Sequence, residues 1–116
     1  MTRINLIPPH ELTTRHLVAE YRELPRVFAL AKKAQPQAIL PSAYTLGAGH
    51  VRFFYNKAGW LLKRQRALIA EMQRRGYKPQ HTDPSPLADG LPLNDWDPPP
   101  AAVALSRARI EERLNA

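Results

Sequence analysis

The chain contains no cysteine, which removes disulfides, thiolate metal sites and thiol nucleophiles together and leaves its compartment unreadable from redox chemistry. No apolar run approaches the roughly 20 residues a membrane helix needs, and the opening MTRINLIPPH lacks a signal-peptide core; the cytoplasm is the expected location. Acidic residues are scarce. Ten Asp plus Glu stand against seventeen Lys plus Arg, a formal net charge of +7, and such a balance attracts polyanions, nucleic acid first. At 116 residues, a single domain spanning 1–116 is expected, large enough to bury roughly two-thirds of its unfolded surface. A metal hydrolase is disfavoured, because His10, His16, His50 and His81 lack helical pairing and His16 with Glu20 is too small a set.

Proline, by contrast, is abundant, and it divides the chain. The pattern Leu17, Tyr21, Leu24, Phe28, Ala31 predicts a helix from about Thr14 to Lys33, capped by Thr13 or Thr14, with Pro25 bending it near the middle. A second apolar stripe, Phe54, Leu61, Leu62, Leu68, Ile69 and Met72, predicts a helix ending at Gly76, with Gly59 its weak point and Trp60 its expected start. Arg74 and Arg75 fall where cations complement the helix dipole. Residues 79–100 hold seven prolines among twenty-two positions, which forbids a long helix there and most strand pairing. An extended wrap pinned by Leu93 and Trp96 is expected. A third helix runs from about Ala101 to Leu114, with Val103, Leu105, Ile110 and Leu114 inward and Arg107, Arg109 and Arg113 outside. The fold class is therefore all-α, a compact domain of three helices with long irregular, proline-rich connections.

At about 100° per residue, Arg15, Ala19, Arg22 and Arg26 form one narrow arc of the first helix. Leu17, Tyr21, Leu24 and Phe28 take the opposite side, with His16 and Glu23 on a bearing between them. Glu23 thus borders a cationic stripe. It reads either as one member of an exposed ion-pair ladder with Arg26 or as a carboxylate beside a phosphate-binding surface, where acid or base work is open to it. Thr2 is small enough for Met1 to be removed, exposing an amine whose reference pKa of about 7.7–8.0 leaves a neutral, nucleophilic fraction at cellular pH. Arg3 next to it favours that neutral form, and a neutral amine can attack an electrophilic carbon to form a Schiff base.

The blocks MTRINL (1–6), HLVAEYRELPRVF (16–28), LGAGHVRFFYNK (46–57), KRQRALIAEMQRRGY (63–77) and ALSRARIEERL (104–114) together resemble, in order and with little change in spacing, the pyrimidine-dimer DNA glycosylase family typified by bacteriophage endonuclease V. The resemblance covers most of the chain apart from the proline-rich stretch. It implies a DNA-repair glycosylase that also has abasic-site lyase activity, acting on UV-induced cyclobutane dimers in double-stranded DNA as a monomer, with no metal and no organic cofactor. By this resemblance the amine of Thr2 attacks the anomeric carbon and Glu23 is the essential acidic group. It further implies that Arg3, Arg22, Arg26, Arg109 and Arg113 meet phosphates and substrate, with His16 a neighbour. Arg15 stands where the phage helix has glutamine and adds a cation to that surface. The family also extrudes a nucleotide opposite the lesion, the usual route to chemistry buried in a duplex. Up to Ala116 the sequence does not include the aromatic, basic tail that contributes to dimer recognition in the phage enzyme. A non-catalytic basic DNA-binding protein and a glycosylase for oxidised or ring-opened purines are the competing readings.

Overall fold

The computed structural model describes residues 3–34 and 40–114. Three α-helices carry the fold: α1 (Thr14–Lys33), α2 (Ala58–Arg74) and α3 (Pro100–Leu114), with short 3-10 turns at Pro9–Glu11, Arg52–Phe54 and Ser85–Ala88. Among the described residues the only β-type pairing is one isolated bridge, Lys57 with Leu93. The protein is all-α.

The first helix starts at Thr13, whose hydroxyl accepts from the His16 amide, satisfying one of the donors a helix start leaves unpaired. It runs through Pro25 unbroken. Leu17, Leu24, Val27 and Phe28 are essentially inaccessible to water and face Leu61, Leu68 and Met72 of α2 in one continuous apolar core. Burial on this scale, at about 25 cal/mol per Å² of apolar surface, is the main force holding the two helices together.

The second helix begins two residues earlier than its sequence suggests. Gly59 is the place where the proline-rich wrap comes closest, not a weak point. The free amides of Ala58 and Trp60 donate to the carbonyls of Pro92 (3.1 Å) and Asn94 (3.2 Å), and a Cβ on Gly59 would lie 2.4 Å from the Leu93 carbonyl oxygen. Leu93 itself is 64% exposed and pins nothing with its side chain; the backbone carbonyls on either side of it make the attachment instead. Trp96 does anchor the wrap as expected, stacked on Tyr44 and edge-on to Phe53 at 4.9 Å. The helix ends with Gly76 at φ 88°, and the Tyr77 amide closes back onto the Met72 carbonyl, a left-handed glycine termination. Arg75 goes beyond complementing the dipole. It bonds Glu71 and reaches the carbonyls of Pro9 and Leu12, fastening the turn that leads into α1.

The third helix presents a different face from the one its large apolar residues suggest. Leu105 and Leu114 are exposed, and the buried positions are Ala102, Ser106 and Ile110. Small residues at four-residue spacing let the helix approach closely, and what it approaches is backbone: the Leu6 amide donates to Ser106 Oγ at 3.0 Å.

That hydrogen bond belongs to an extended arm, residues 3–7, lying inside the core. Ile4, Asn5, Leu6 and Ile7 are all buried, so their backbone groups need partners. Side chains supply them. His50 Nε2 accepts from the Ile4 amide (2.8 Å), Tyr44 donates its hydroxyl to the Ile4 carbonyl (2.9 Å), and Arg64 donates to the Ile7 carbonyl (2.6 Å).

Candidate active site

Where the arm emerges, α1 and α3 converge on a basin of ≈ 410 Å³ lined by Arg3 and Asn5 of the arm, Arg15, His16, Ala19, Glu20 and Glu23 of α1, and Arg109, Ile110 and Arg113 of α3. Six of the residues singled out from sequence are thereby brought together: Arg3, Arg15, His16, Glu23, Arg109 and Arg113. Residue 109 meets residue 3 because Ser106, bonded to the Leu6 amide, sits one helical turn before Arg109 and fixes α3 against the arm. Thr2 lies outside the described residues.

Arg22 and Arg26 do not line the basin. Both are exposed, and with Arg15 and Ala19 they form the crest of α1. On the far side of that crest runs a larger groove of ≈ 650 Å³, lined by Val18, Tyr21, Arg22, Pro25, Gln65, Ile69 and Met72 and closed by residues of the wrap from Lys78 to Leu87. Tyr21 holds the wrap in place. Its hydroxyl donates to the His81 carbonyl (3.2 Å) and accepts from the His81 amide (3.0 Å).

Beneath the basin lies a polar layer that the helical patterns alone do not reveal. Glu20, 2% exposed, receives Arg64 Nε at 2.7 Å, Arg64 Nη2 at 2.9 Å and the Asn5 side-chain amide at 2.8 Å. A buried pair of this kind survives only when its remaining hydrogen-bonding capacity is filled, and here Asn5 and the Ile7 carbonyl fill it. A cue for it is present in the sequence. Glu20 borders the apolar arc of α1, and Arg64 falls between Leu61 and Leu68 on the apolar stripe of α2, so two opposite charges each point toward the core.

Electrostatically the basin is cationic around one half-buried carboxylate. Burial lowers the pKa of Arg3 from its ordinary value, and the neighbouring Arg109 and Arg113 guanidinium groups lower it further. Arg3 also donates to the Leu46 carbonyl at 2.6 Å, tying the LGAGH loop to the arm. Arg109 is turned inward and makes a loose pair with Glu112 at 3.6 Å. Glu23, by contrast, forms no ion pair among the described residues, so the ladder with Arg26 is not made. An unpaired carboxylate amid cations is available to a positive charge that arrives later. Among the described residues, no three His, Cys, Asp or Glu side chains lie close enough together to hold a metal ion.

A family model described as pyrimidine dimer DNA glycosylase matches residues 1–85. The chain belongs to that family. As a pyrimidine-dimer glycosylase it is a DNA-repair protein whose substrate is DNA, in keeping with the excess of cations around the basin. The matched region of the glycosylase holds the arm, α1, the LGAGH loop and α2. Arg109, Ile110 and Arg113 enter the basin from beyond it.

Proposed function

We propose that the protein is a bifunctional glycosylase and abasic-site lyase acting on cyclobutane pyrimidine dimers in duplex DNA, with the α-amine of Thr2, once Met1 is removed, as nucleophile. The observation that carries this reading is Glu23, a carboxylate without an ion pair among the described residues, set in a cationic basin at the point where the buried arm emerges. The amine adds to C1′ of the damaged nucleotide as the glycosidic bond breaks; the bonding pair leaves with the base, which takes up a proton. Ring opening gives an imine, removal of a C2′ proton expels the 3′ phosphate by β-elimination, and water then returns the free amine.

Glu23 stabilises the cationic sugar and passes the protons of both stages. Arg3, Arg15, Arg109 and Arg113 hold the flanking phosphates around the basin, and His16 borders the same sugar-phosphate path. Arg22 and Arg26 on the crest take phosphates of the duplex outside it. A nucleotide extruded from the duplex fits the groove on the other side of α1, where Tyr21 and Pro25 offer apolar surface and Arg22 offers hydrogen bonds.

The test is borohydride trapping of Met1-free protein on duplexes carrying a single cis-syn thymine dimer, an abasic site or no lesion, with Glu23→Gln as control. A Glu23-dependent covalent adduct on the dimer duplex is expected. An adduct on the abasic duplex alone reduces the protein to a lyase whose base remains to be found among oxidised purines and other lesions. No adduct on any duplex, with threonine confirmed at the terminus by mass spectrometry, leaves only a DNA-binding protein.

A further inference from the structure

We propose that His50 is a positioning residue for this reaction: as the neutral Nδ1–H imidazole it holds the Ile4 amide, which sets where the chain terminus reaches the Glu23 basin, and its protonation lets the arm go. The proposal rests on the terminal amine being the nucleophile, two residues before Ile4.

The geometry fixes the tautomer. Nδ1 of His50 lies 2.7 Å from the Thr45 carbonyl, which can only accept, so Nδ1 carries the proton. Nε2 is left as an acceptor and receives the Ile4 amide at 2.8 Å. The other side of the same peptide is held by Tyr44, whose hydroxyl donates to the Ile4 carbonyl. Tyr44 and His50 are themselves edge to face at 5.3 Å, and Phe54 closes on the imidazole at 6.0 Å. One loop therefore grips both polar groups of a single residue, and the grip ends at the point where the arm leaves the core. The loop needs Gly49 to make this turn. Its φ is 88°, and a Cβ there would stand 2.8 Å from the Pro41 ring.

Protonated at both nitrogens, His50 has no lone pair for Ile4, and two N–H groups face each other in the core. Of the elements around it, the arm presents Arg3 and the loop presents Tyr44; the Arg52–Phe54 turn presents the Phe54 ring. Burial first, and the Arg3 charge after it, lower the His50 pKa, while the Thr45 carbonyl works against them. His50 is thus neutral at cellular pH, and acid is what breaks the grip. Displacement of a nucleophile by about 1 Å can cost about 100-fold in rate, whereas Arg15, Arg22, Arg26, Arg109 and Arg113 stand on the helices and bind the duplex whether or not the arm is held.

The experiment is single-turnover imine trapping on an abasic duplex from pH 4 to 8 with Met1-free wild type, His50→Gln and His50→Leu, alongside duplex affinity. Glutamine places an amide oxygen near the position of Nε2, so it keeps the acceptor and does not titrate. With duplex saturating, His50→Leu is expected to trap roughly 10- to 100-fold more slowly, with His50→Gln restoring the rate. On the acid side, wild type should lose rate with a steeper dependence on pH than His50→Gln, because two groups rather than one must be deprotonated. Should leucine not fold, the comparison of acid limbs between wild type and His50→Gln decides alone. Wild-type trapping with identical acid limbs in wild type and His50→Gln overturns the role of His50 while leaving the amine mechanism intact. Absence of trapping by wild type overturns both.

Discussion

The side-chain amide of Gln65 donates to the backbone carbonyl of Tyr21 at 3.1 Å, and that carbonyl is the one Pro25, four residues later, leaves without an amide to bond. α1 therefore carries a proline at its centre without an orphaned acceptor, because α2 supplies the missing donor. Gln65→Leu is expected to destabilise the fold by about 1–2 kcal/mol, the cost of a buried carbonyl left unpaired. Loss of the Gln65 Oε1 atom, which has no partner among the described residues, offsets part of this. Pro25→Ala restores the helical amide, so the penalty of Gln65→Leu should largely vanish in the Pro25→Ala background. A double-mutant cycle by urea denaturation checks it; additive effects would show that Tyr21 finds another donor.

Gly59 and Gly90 separate two meanings of glycine. At Gly59 a Cβ collides with the Leu93 and Asn94 carbonyls, whereas at Gly90, φ 80°, it meets nothing. Gly59→Ala should cost more than about 2 kcal/mol and loosen the wrap. Gly90→Ala should cost only about 1 kcal/mol from backbone strain. Trp96 fluorescence and protease sensitivity between residues 89 and 95 distinguish them, since only the first change separates the wrap from α2.

Acid should weaken the protein through Glu71. The Arg74 and Arg75 side-chain hydrogen bonds hold its carboxyl down to about 2 against an ordinary 4.5. The sign follows from linkage: a carboxylate with a lowered folded value stabilises the fold above its unfolded value, and that contribution is lost as pH falls from 4.5 through about 2. Urea midpoints of wild type and Glu71→Gln should therefore differ by a constant amount above pH 5 and converge below 4.5. A constant difference down to pH 2 would show that the charge of Glu71 contributes nothing.

The arginines and Glu23 should separate in a salt titration. Arg109→Ala and Arg113→Ala each remove one cation from the phosphate path, and each is expected to lower the slope of log affinity against log salt by about 0.9. Glu23→Gln should leave the slope unchanged and abolish trapping. Fluorescence anisotropy of a dimer-containing duplex between 50 and 200 mM salt provides the readout, and an unchanged slope in both arginine variants removes α3 from the DNA-binding surface.

α1 was legible in the sequence because local chemistry specifies it: Thr13 caps it, the apolar spacing orients it, and the arginine crest lies opposite. α3 was legible as a helix but not in its orientation. Ranking by size favoured Leu105 and Leu114, whereas packing on buried backbone selects Ala102 and Ser106, a preference no helical period encodes. The same limit hid the anchoring of the wrap, since it attaches through the Pro92 and Asn94 carbonyls on either side of Leu93, and a backbone attachment leaves no trace in side-chain pattern. Within the site, the grouping of His16 with Glu23 followed from one helix. The convergence of Arg3 with Arg109 and Arg113 spans more than a hundred residues and came only through resemblance to a family. Glu20 with Arg64 marked the buried layer, and its cue was two opposite charges on two apolar faces.

The arm has a further consequence for the order in which the molecule is assembled. Its partners His50, Arg64 and Ser106 lie 46, 57 and 100 residues further along the chain, so the segment synthesised first is seated last. Pairings at such separation form late, after the entropy of closing the intervening loops has been overcome. Until Ser106 leaves the ribosome, residues 3–7 have no complete set of partners, so the core cannot close around Ile4 before the chain is nearly finished.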